Sequence, residues 1–124
     1  MRPSKFAILL VLIHLWTTAV AASDRVLPQR ILYLGNTGTE RAKTFETFLK
    51  RRFSHSSVTS RDDFDPTSVD GFDVVLLDWS QRDTRSNDAV SPFGKRESWS
   101  IPVVLLGSAG HLLAGPWEVI GGSG

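Results

Sequence analysis

The chain of 124 residues contains no cysteine, one methionine and one tyrosine. Without cysteine it can form no disulfide bond, carry no thiolate nucleophile and accept no lipid anchor of the bacterial lipoprotein type. Its stability therefore has to come from a packed core. A chain of about a hundred residues is long enough for one small domain with such a core.

The sequence also lacks an excess of charge of one sign, with 14 basic and 13 acidic residues. A protein that binds nucleic acid would show a basic patch or stripe, so the composition argues against a nucleic-acid partner. The one basic cluster, Lys50 to Arg52, falls at the predicted end of a helix. Positive charge complements the helix dipole there, and a phosphate-binding patch is the alternative interpretation.

No hydrophobic run is long enough for a comfortable membrane span. Arg2 and Lys5 precede an apolar run from Phe6 to Trp16, and Ala19 to Ala21 supply the small residues of a cleavage site. This order predicts a signal peptide over residues 1–21, a secreted or periplasmic location, and no stable membrane insertion after cleavage. An uncleaved N-terminal anchor is the alternative. Without Arg2 and Lys5, 12 basic residues face 13 acidic ones, a net charge of −1.

Residues 22–29 are predicted to be an exposed lead-in, and residues 30–124 to form one α/β domain. Short, nearly continuous aliphatic runs are typical of strands buried on both faces of a parallel sheet. Three such runs are Arg30–Gly35, Val74–Leu77 and Ile101–Leu106. A shorter, polar strand at His55–Thr59 is expected at or near an edge of the sheet, and a brief strand is expected at Trp117–Ile120.

A helix is expected between the first two strands. Thr37 and Glu40 have the spacing of a capping box, in which each side chain satisfies a free backbone N–H at the helix start. One face of the following segment is apolar: Ala42, Phe45, Phe48, Leu49 and Phe53. Pro66, capped by Asp65, suits a short helical turn. Residues 80–99 read as a long loop with a short helical turn, with Trp99 and Trp117 packing around it.

The alternation of strands and helical segments predicts a flavodoxin-like, doubly wound parallel sheet of about four to five strands. The three aliphatic strands are expected to be adjacent and central. Right-handed crossovers would then bring the loops at residues 36–39, 78–81 and 107–111 to one edge of the sheet. Ligands of open α/β sheets bind at such an edge.

Ser108 is the first candidate site residue, because it lies in a tight turn, Gly107 to Gly110, between a buried strand and a helix start. A serine in such a turn can act as a nucleophile if a base lies within hydrogen-bond reach, and His111 is the nearest candidate base. The alternative is that Ser108 caps the helix and that the small residues permit tight packing, with Gly107 beside it.

Asp78 and Trp79 form a second candidate pair at the end of a buried strand. The carboxylate could bind a sugar hydroxyl while the indole stacks on a sugar face. Equally, Asp78 could cap a turn and Trp79 could belong to the core.

Asn36, Thr37 and Gly38 could cradle an anion at a helix start, or serve only to cap that helix. Neither a P-loop nor a Gly-x-Gly-x-x-Gly pattern is present, and His55 and His111 are far apart in sequence. No cofactor and no metal ion are therefore expected.

The segment Pro102–Ala114 resembles the nucleophile elbow of class I glutamine amidotransferase-like domains, in which a buried strand runs into a small-residue turn, then Gly-His and a Leu-Leu-Ala helix start. Ile31–Gly35 is similar to the first strand of that fold, and Phe72–Asp78 to the strand before its oxyanion loop. The resemblance implies a flavodoxin-like fold over residues 30–114.

The departures from the family pattern change what the resemblance implies. Ser108 stands in the position of the catalytic cysteine, the elbow is one residue shorter, and Asp78–Gln81 replaces the oxyanion loop. The family's later His and Glu would lie beyond Gly124, so that the domain is expected to be incomplete. Glutamine hydrolysis is not expected. The trehalose-utilisation-type branch, which lacks the cysteine and occurs in exported bacterial proteins, is the closer likeness.

Together these observations favour an exported binding or accessory module that takes a small molecule or a carbohydrate. One alternative is a carbohydrate-related hydrolase of the trehalose-utilisation type, with Ser108, His111 and Asp78 in its site. The other is a truncated product without independent function.

Overall fold

The computed structural model describes residues 25–83 and 90–118. The predicted signal peptide lies outside the described residues. The helices and strands, in chain order, are β1 (Leu27–Gly35), α1 (Glu40–Arg52), β2 (Phe53–Ser60), β3 (Val74–Trp79), β4 (Val103–Gly107) and α2 (Ala109–Ala114). Two short 3-10 turns, Pro66–Ser68 and Arg96–Ser98, lie in the connections around β3.

The four strands form one parallel sheet in the order β2-β1-β3-β4. This confirms the predicted α/β, flavodoxin-like arrangement. From β1 the chain first moves to one side, through α1 into β2, and then crosses to the other side into β3. The carboxyl ends of β1 and β3 therefore flank the point where the winding reverses, which is where open α/β sheets bind ligands.

Alternation along the strands divides the core into two layers. On β1, Ile31 and Tyr33 face α1, while Leu32 and Leu34 face the opposite side of the sheet. On β3, Leu77 also belongs to that opposite side, where α2 packs. The helices therefore cover both faces of the sheet, as a doubly wound arrangement requires.

An aromatic cluster closes the α2 side. The ring of Phe93 lies 4.4 Å from that of Trp99 and 5.5 Å from that of Trp117, measured between centroids. The indole N–H groups donate to the carbonyl oxygens of Ile101 (from Trp99, 2.6 Å) and Gly94 (from Trp117, 3.0 Å). The predicted packing role of Trp99 and Trp117 is confirmed, and the predicted helical turn in this loop is the one at Arg96–Ser98.

Two predictions about the strands need correction. β4 was expected in the centre, but within residues 25–83 and 90–118 it pairs with β3 alone, and Val104 is 45% exposed. This part of β4 is uncovered because α1 packs over β1 and β2.

The brief strand predicted at Trp117–Ile120 is wrong where it can be compared. Trp117 and Glu118 lie in a turn that continues from α2, and residues 119–120 fall outside the described part. The polar strand expected at an edge, β2, is confirmed there.

The predicted capping box is wrong by two residues. Thr39, not Thr37, is the N-cap of α1: its hydroxyl accepts from the Ala42 N–H at 3.3 Å and donates to the Asn36 carbonyl at 2.7 Å. Glu40 is the first residue of α1, not the third as a capping box requires, and its carboxylate pairs with Lys43. The turn after β1 extends to Thr39, two residues further than the sequence pattern predicts.

By contrast, the predicted cap of the Pro66 turn by Asp65 is confirmed.

Replacing Thr39 by alanine is expected to lower the free energy of unfolding by about 1 kcal/mol, because it removes the side-chain acceptor from the first turn of α1. Thr37→Ala is the matched control and should change stability by less than about 0.5 kcal/mol, since Thr37 is exposed and caps nothing. Urea unfolding of both variants measures the difference. A larger loss for Thr37→Ala would mean that the helix begins where the sequence pattern suggested.

Within the described ranges, no helix is both long enough and apolar enough to cross a membrane.

Candidate functional site

Asp78 is the last-but-one residue of β3 and is only 3% exposed. Because side chains alternate along the strand, it points to the α1 side, opposite to Leu77 and Trp79. An ionised carboxylate in such a position is costly unless it is paired and hydrogen-bonded. The partners of Asp78 therefore define the local structure.

Two neighbours satisfy this carboxylate. The Tyr33 hydroxyl donates to Oδ2 at 2.5 Å, and Arg41 donates from Nε to Oδ2 at 2.7 Å and from Nη2 to Oδ1 at 2.9 Å. The arginine contact is bidentate, the strongest geometry for such a pair. We call these three residues the Tyr33–Arg41–Asp78 network. It ties β1, the first turn of α1 and β3 together.

Packing fixes the guanidinium of Arg41 as well. Its central carbon lies 5.4 Å from the ring centroid of Phe45, and the Phe45 ring stacks on Tyr33 with a centroid distance of 5.1 Å. The hydrogen bonds to Asp78 raise the pKa of Arg41 above its ordinary value. Arg41 is thus a charged group whose position is determined before any ligand arrives.

Two glycines make the close approaches of this region possible. A Cβ at Gly35 would lie 2.6 Å from the Tyr33 ring, so a side chain there would displace the tyrosine. At Gly107 the φ angle is +64°, and a Cβ would lie 2.6 Å from the carbonyl oxygen of Trp79. That carbonyl accepts from the Ser108 N–H at 2.7 Å, which joins the carboxyl ends of β3 and β4.

Arg61 joins the end of β2 to the end of β3. It donates from Nη1 to the Asp78 carbonyl at 2.8 Å and from Nη2 to Asp83 at 3.1 Å. Its guanidinium carbon lies 4.1 Å from the centroid of a Trp79 ring, a cation–π contact. The Arg61 side chain is only 10% exposed, so its contacts are largely structural.

A cavity of about 260 Å³ opens above the carboxyl ends of β1 and β3. We call it the switch-point cleft. Its lining residues come from three separate segments of the chain: Asn36, Thr39, Arg41, Arg61, Asp78, Ser80, Arg82 and Asp83. A larger cavity of about 550 Å³ lies on the outer face of α1, but its lining between Thr44 and Arg52 comes from one helix. We favour the smaller cleft as the candidate functional site because polar groups from several elements converge there.

The predicted residues are placed unevenly around this cleft. Asn36 and Asp78 line it, whereas Thr37 and Gly38 lie in the exposed turn beside it and are not part of its lining. Trp79 is 6% exposed and packs in the core under Arg61. Its indole Nε1 is buried without a hydrogen-bond partner among the described residues.

Ser108 and His111 stand at the start of α2. Ser108 occupies the N-cap position, but its side chain makes no capping hydrogen bond, and the His111 N–H donates to the Ser108 carbonyl at 3.2 Å. His111 is exposed, and no hydrogen bond joins the two side chains in the described part of the chain. The hydrogen bond to a base that activates a nucleophilic serine is therefore not formed between these two side chains.

Sequence reasoning missed Tyr33, Arg41 and Arg61. Two signals could have pointed to them. A tyrosine in an otherwise aliphatic buried strand needs a partner for its hydroxyl. An arginine in the first turn of a helix opposes the helix dipole, so Arg41 needs a compensating carboxylate. Both needs are met by Asp78, which is distant in sequence.

Among residues 25–83 and 90–118, no group of three or more His, Asp or Glu side chains could hold a metal ion. The lining of the switch-point cleft presents arginine N–H groups together with carboxylate, amide and hydroxyl groups.

Tyr33 provides a direct test of the network because it is the only tyrosine of the chain. Burial, together with the hydrogen bond to Asp78, raises the pKa of Tyr33 well above its ordinary value of 10.0. A raised pKa means that the folded state keeps the proton more firmly than the unfolded chain. The stability that this contributes is fully present below pH 10.0 and is lost as the pH rises above it.

We therefore expect tyrosinate absorbance to appear only together with alkaline unfolding. Spectrophotometric titration alongside circular dichroism measures both. In Tyr33→Phe, the part of the alkaline loss of stability that is due to tyrosine ionisation should disappear, which separates it from the titration of lysines. An absorbance step with an ordinary midpoint in the folded protein would contradict the buried Tyr33–Asp78 hydrogen bond.

Comparison of the chain with protein-family models, with curated proteins and with solved structures finds no match.

Proposed function

We propose that this protein is an exported, non-catalytic binding or accessory module with an amidotransferase-like fold, and that a small molecule occupies its switch-point cleft. The observation that carries the proposal is Arg41: the network and the Phe45 ring hold its guanidinium in place beside a cavity at the sheet's reversal point. A preorganised donor binds a ligand with little loss of conformational freedom.

Several features support binding over catalysis. Asp78 is engaged by Tyr33 and Arg41, so this carboxylate is not available as a general base. Ser108 and His111 make no side-chain hydrogen bond with each other in the described part of the chain. A hydrolase of the trehalose-utilisation type would need one of these groups to be activated, which is why we rank that alternative second.

A ligand screen tests the proposal. Mono- and disaccharides, carboxylates and phosphate esters are added to the purified protein, and the thermal midpoint is followed. A compound that binds the folded protein should raise the thermal midpoint by mass action. At a free concentration of a hundred times its dissociation constant, it adds about 2.7 kcal/mol to the free energy of unfolding. Asn36→Ala should weaken that binding, while Ser57→Ala, on the exposed β2 edge, should not.

Recovery of the bound compound after long incubation completes the test. We expect it unchanged. A compound that is bound and then hydrolysed would favour the hydrolase. A panel in which nothing raises the midpoint would contradict the binding proposal.

No glutaminase activity is expected, either in the native protein or in Ser108→Cys. A serine hydroxyl is a poor nucleophile unless a positioned base takes its proton, and His111 is exposed on α2. A new thiol would still need oxyanion donors at the right place, which the shortened elbow does not supply. Ammonia release from glutamine should equal the blank rate for both proteins. Turnover by the native serine protein would overturn the binding-module proposal.

A further inference from the structure

The donors and acceptors of the switch-point cleft are not equally available. The acceptors are largely used within the protein. Oδ2 of Asp78 accepts from both Tyr33 and Arg41, Oδ1 accepts from Arg41, and the Asp78 side chain is only 4% exposed. Asp83 accepts from Arg61, and its side chain is 28% exposed.

The hydroxyl oxygens of the cleft also accept hydrogen bonds within the protein. Thr39 Oγ1 accepts from the Ala42 N–H, and Ser80 Oγ accepts from the Asp83 N–H, each at 3.3 Å. A ligand rich in hydroxyl donors would therefore find few free acceptors in this cleft.

The donors are different. Arg41 uses only Nε and one position on Nη2 for Asp78, and its side chain is 49% exposed. The remaining edge of the guanidinium, formed by Nη1 and the outer hydrogen of Nη2, has the spacing that matches the two oxygens of a carboxylate or phosphate. Arg82, which is exposed, adds further donors at the rim.

The charge of the lining points the same way. Three arginines, Arg41, Arg61 and Arg82, face two carboxylates, Asp78 and Asp83. The cleft therefore keeps one net positive charge, since Arg41 pairs with Asp78 and Arg61 with Asp83.

We infer that the ligand of the switch-point cleft carries an oxyanion group, a carboxylate, phosphate or sulfate, which binds to the outer edge of the Arg41 guanidinium. This inference rests on the proposed binding function and specifies its ligand class. A neutral carbohydrate is the rival ligand. It is disfavoured because the carboxylates of the cleft already accept hydrogen bonds from Tyr33, Arg41 and Arg61.

The test follows the side-chain Nε–H signal of Arg41 by NMR while inorganic phosphate, citrate or neutral glucose is added at constant ionic strength. Phosphate and citrate should shift this signal in a saturable way, and glucose should not. Arg82→Gln and Arg41→Lys should each weaken phosphate binding by about tenfold, which corresponds to ~1.4 kcal/mol. Arg41→Lys keeps a positive charge beside Asp78 but loses the planar fork.

Lys43→Gln is the matched control, because it removes one positive charge two residues from Arg41, on the exposed surface, where Lys43 pairs with Glu40. Its affinity for phosphate should stay within about twofold of the native value, since exposed charges are largely screened. Should Arg41→Lys fail to fold, the Arg82→Gln variant and the native Arg41 signal carry the test.

The outcomes separate the inference from the proposed function. If glucose shifts the Arg41 signal and no anion does, the ligand class is wrong but the binding site stands. If phosphate binds equally well to Arg41→Lys, or if Lys43→Gln weakens its binding as much as Arg82→Gln does, the anion is attracted by general charge and the inference is overturned. If none of the probes shifts the Arg41 signal and the screen finds only neutral binders, the inference fails alone; if the screen finds no binder at all, both fail.

Discussion

Arg41→Ala is expected to lower the free energy of unfolding by about 2–4 kcal/mol, because it leaves the buried carboxylate of Asp78 without its cation. The value lies toward the lower end for breaking a buried ion pair, since the Arg41 side chain is 49% exposed and partly solvated. Urea unfolding followed by circular dichroism measures the loss.

Lys43→Ala is the matched control on the same helix. The Lys43–Glu40 pair is exposed on both sides and should contribute less than about 1 kcal/mol. Equal losses for the two variants would mean that Arg41 acts as an ordinary surface charge.

A second background separates charge from packing. In Asp78→Asn the carboxylate charge is absent, so removal of Arg41 should cost about 1–3 kcal/mol less than it does in the native protein. An undiminished cost in that background would assign the effect to the contact between Arg41 and Phe45.

Leu77→Ala is expected to cost about 2–5 kcal/mol, because Leu77 is fully buried in the core on the α2 side and its truncation leaves a cavity. Leu27→Ala on β1 is the control, since Leu27 is 42% exposed. Its cost should be less than about 1 kcal/mol. A small loss for Leu77→Ala would contradict the layered core, because the region around β3 would then be loosely packed.

The strands could be predicted because burial on both faces of a parallel sheet imposes a local pattern. The aliphatic runs at Ile31–Leu34 and Val74–Leu77 carry that pattern without reference to the rest of the chain. The position of β4 at one end of the described sheet could not be read in the same way. The length of a helix and the angle at which it crosses the sheet decide which strands it covers. Val104 lies in the same kind of aliphatic run as the buried strand residues, although it is exposed.

The candidate site was predictable only where it follows from topology. The convergence of the loops after β1 and β3 follows from parallel strands and right-handed crossovers. The Tyr33–Arg41–Asp78 network depends instead on register: Tyr33 pairs with Leu76 across the sheet, which places its side chain near that of Asp78 two residues further along. No spacing in the sequence records that pairing.

The choice between Thr37 and Thr39 as helix cap illustrates a smaller limit. Both residues precede the apolar face of α1, and both can accept from a helix N–H. The turn after Gly35 decides between them, because Thr39 bonds back to the Asn36 carbonyl. Turn length is set by tertiary packing as well as by composition.

The most direct test of ligand binding at the switch-point cleft is a map of backbone amide chemical shifts during titration with the tightest compound from the screen. We expect the largest changes at Asn36–Arg41 and Ser80–Asp83, with little change at Ser54–Ser57 on the β2 edge or at Thr44–Arg52 on the outer face of α1. The largest changes at either of those surfaces, or at α2 around Ser108 and His111, would contradict ligand binding at this cleft.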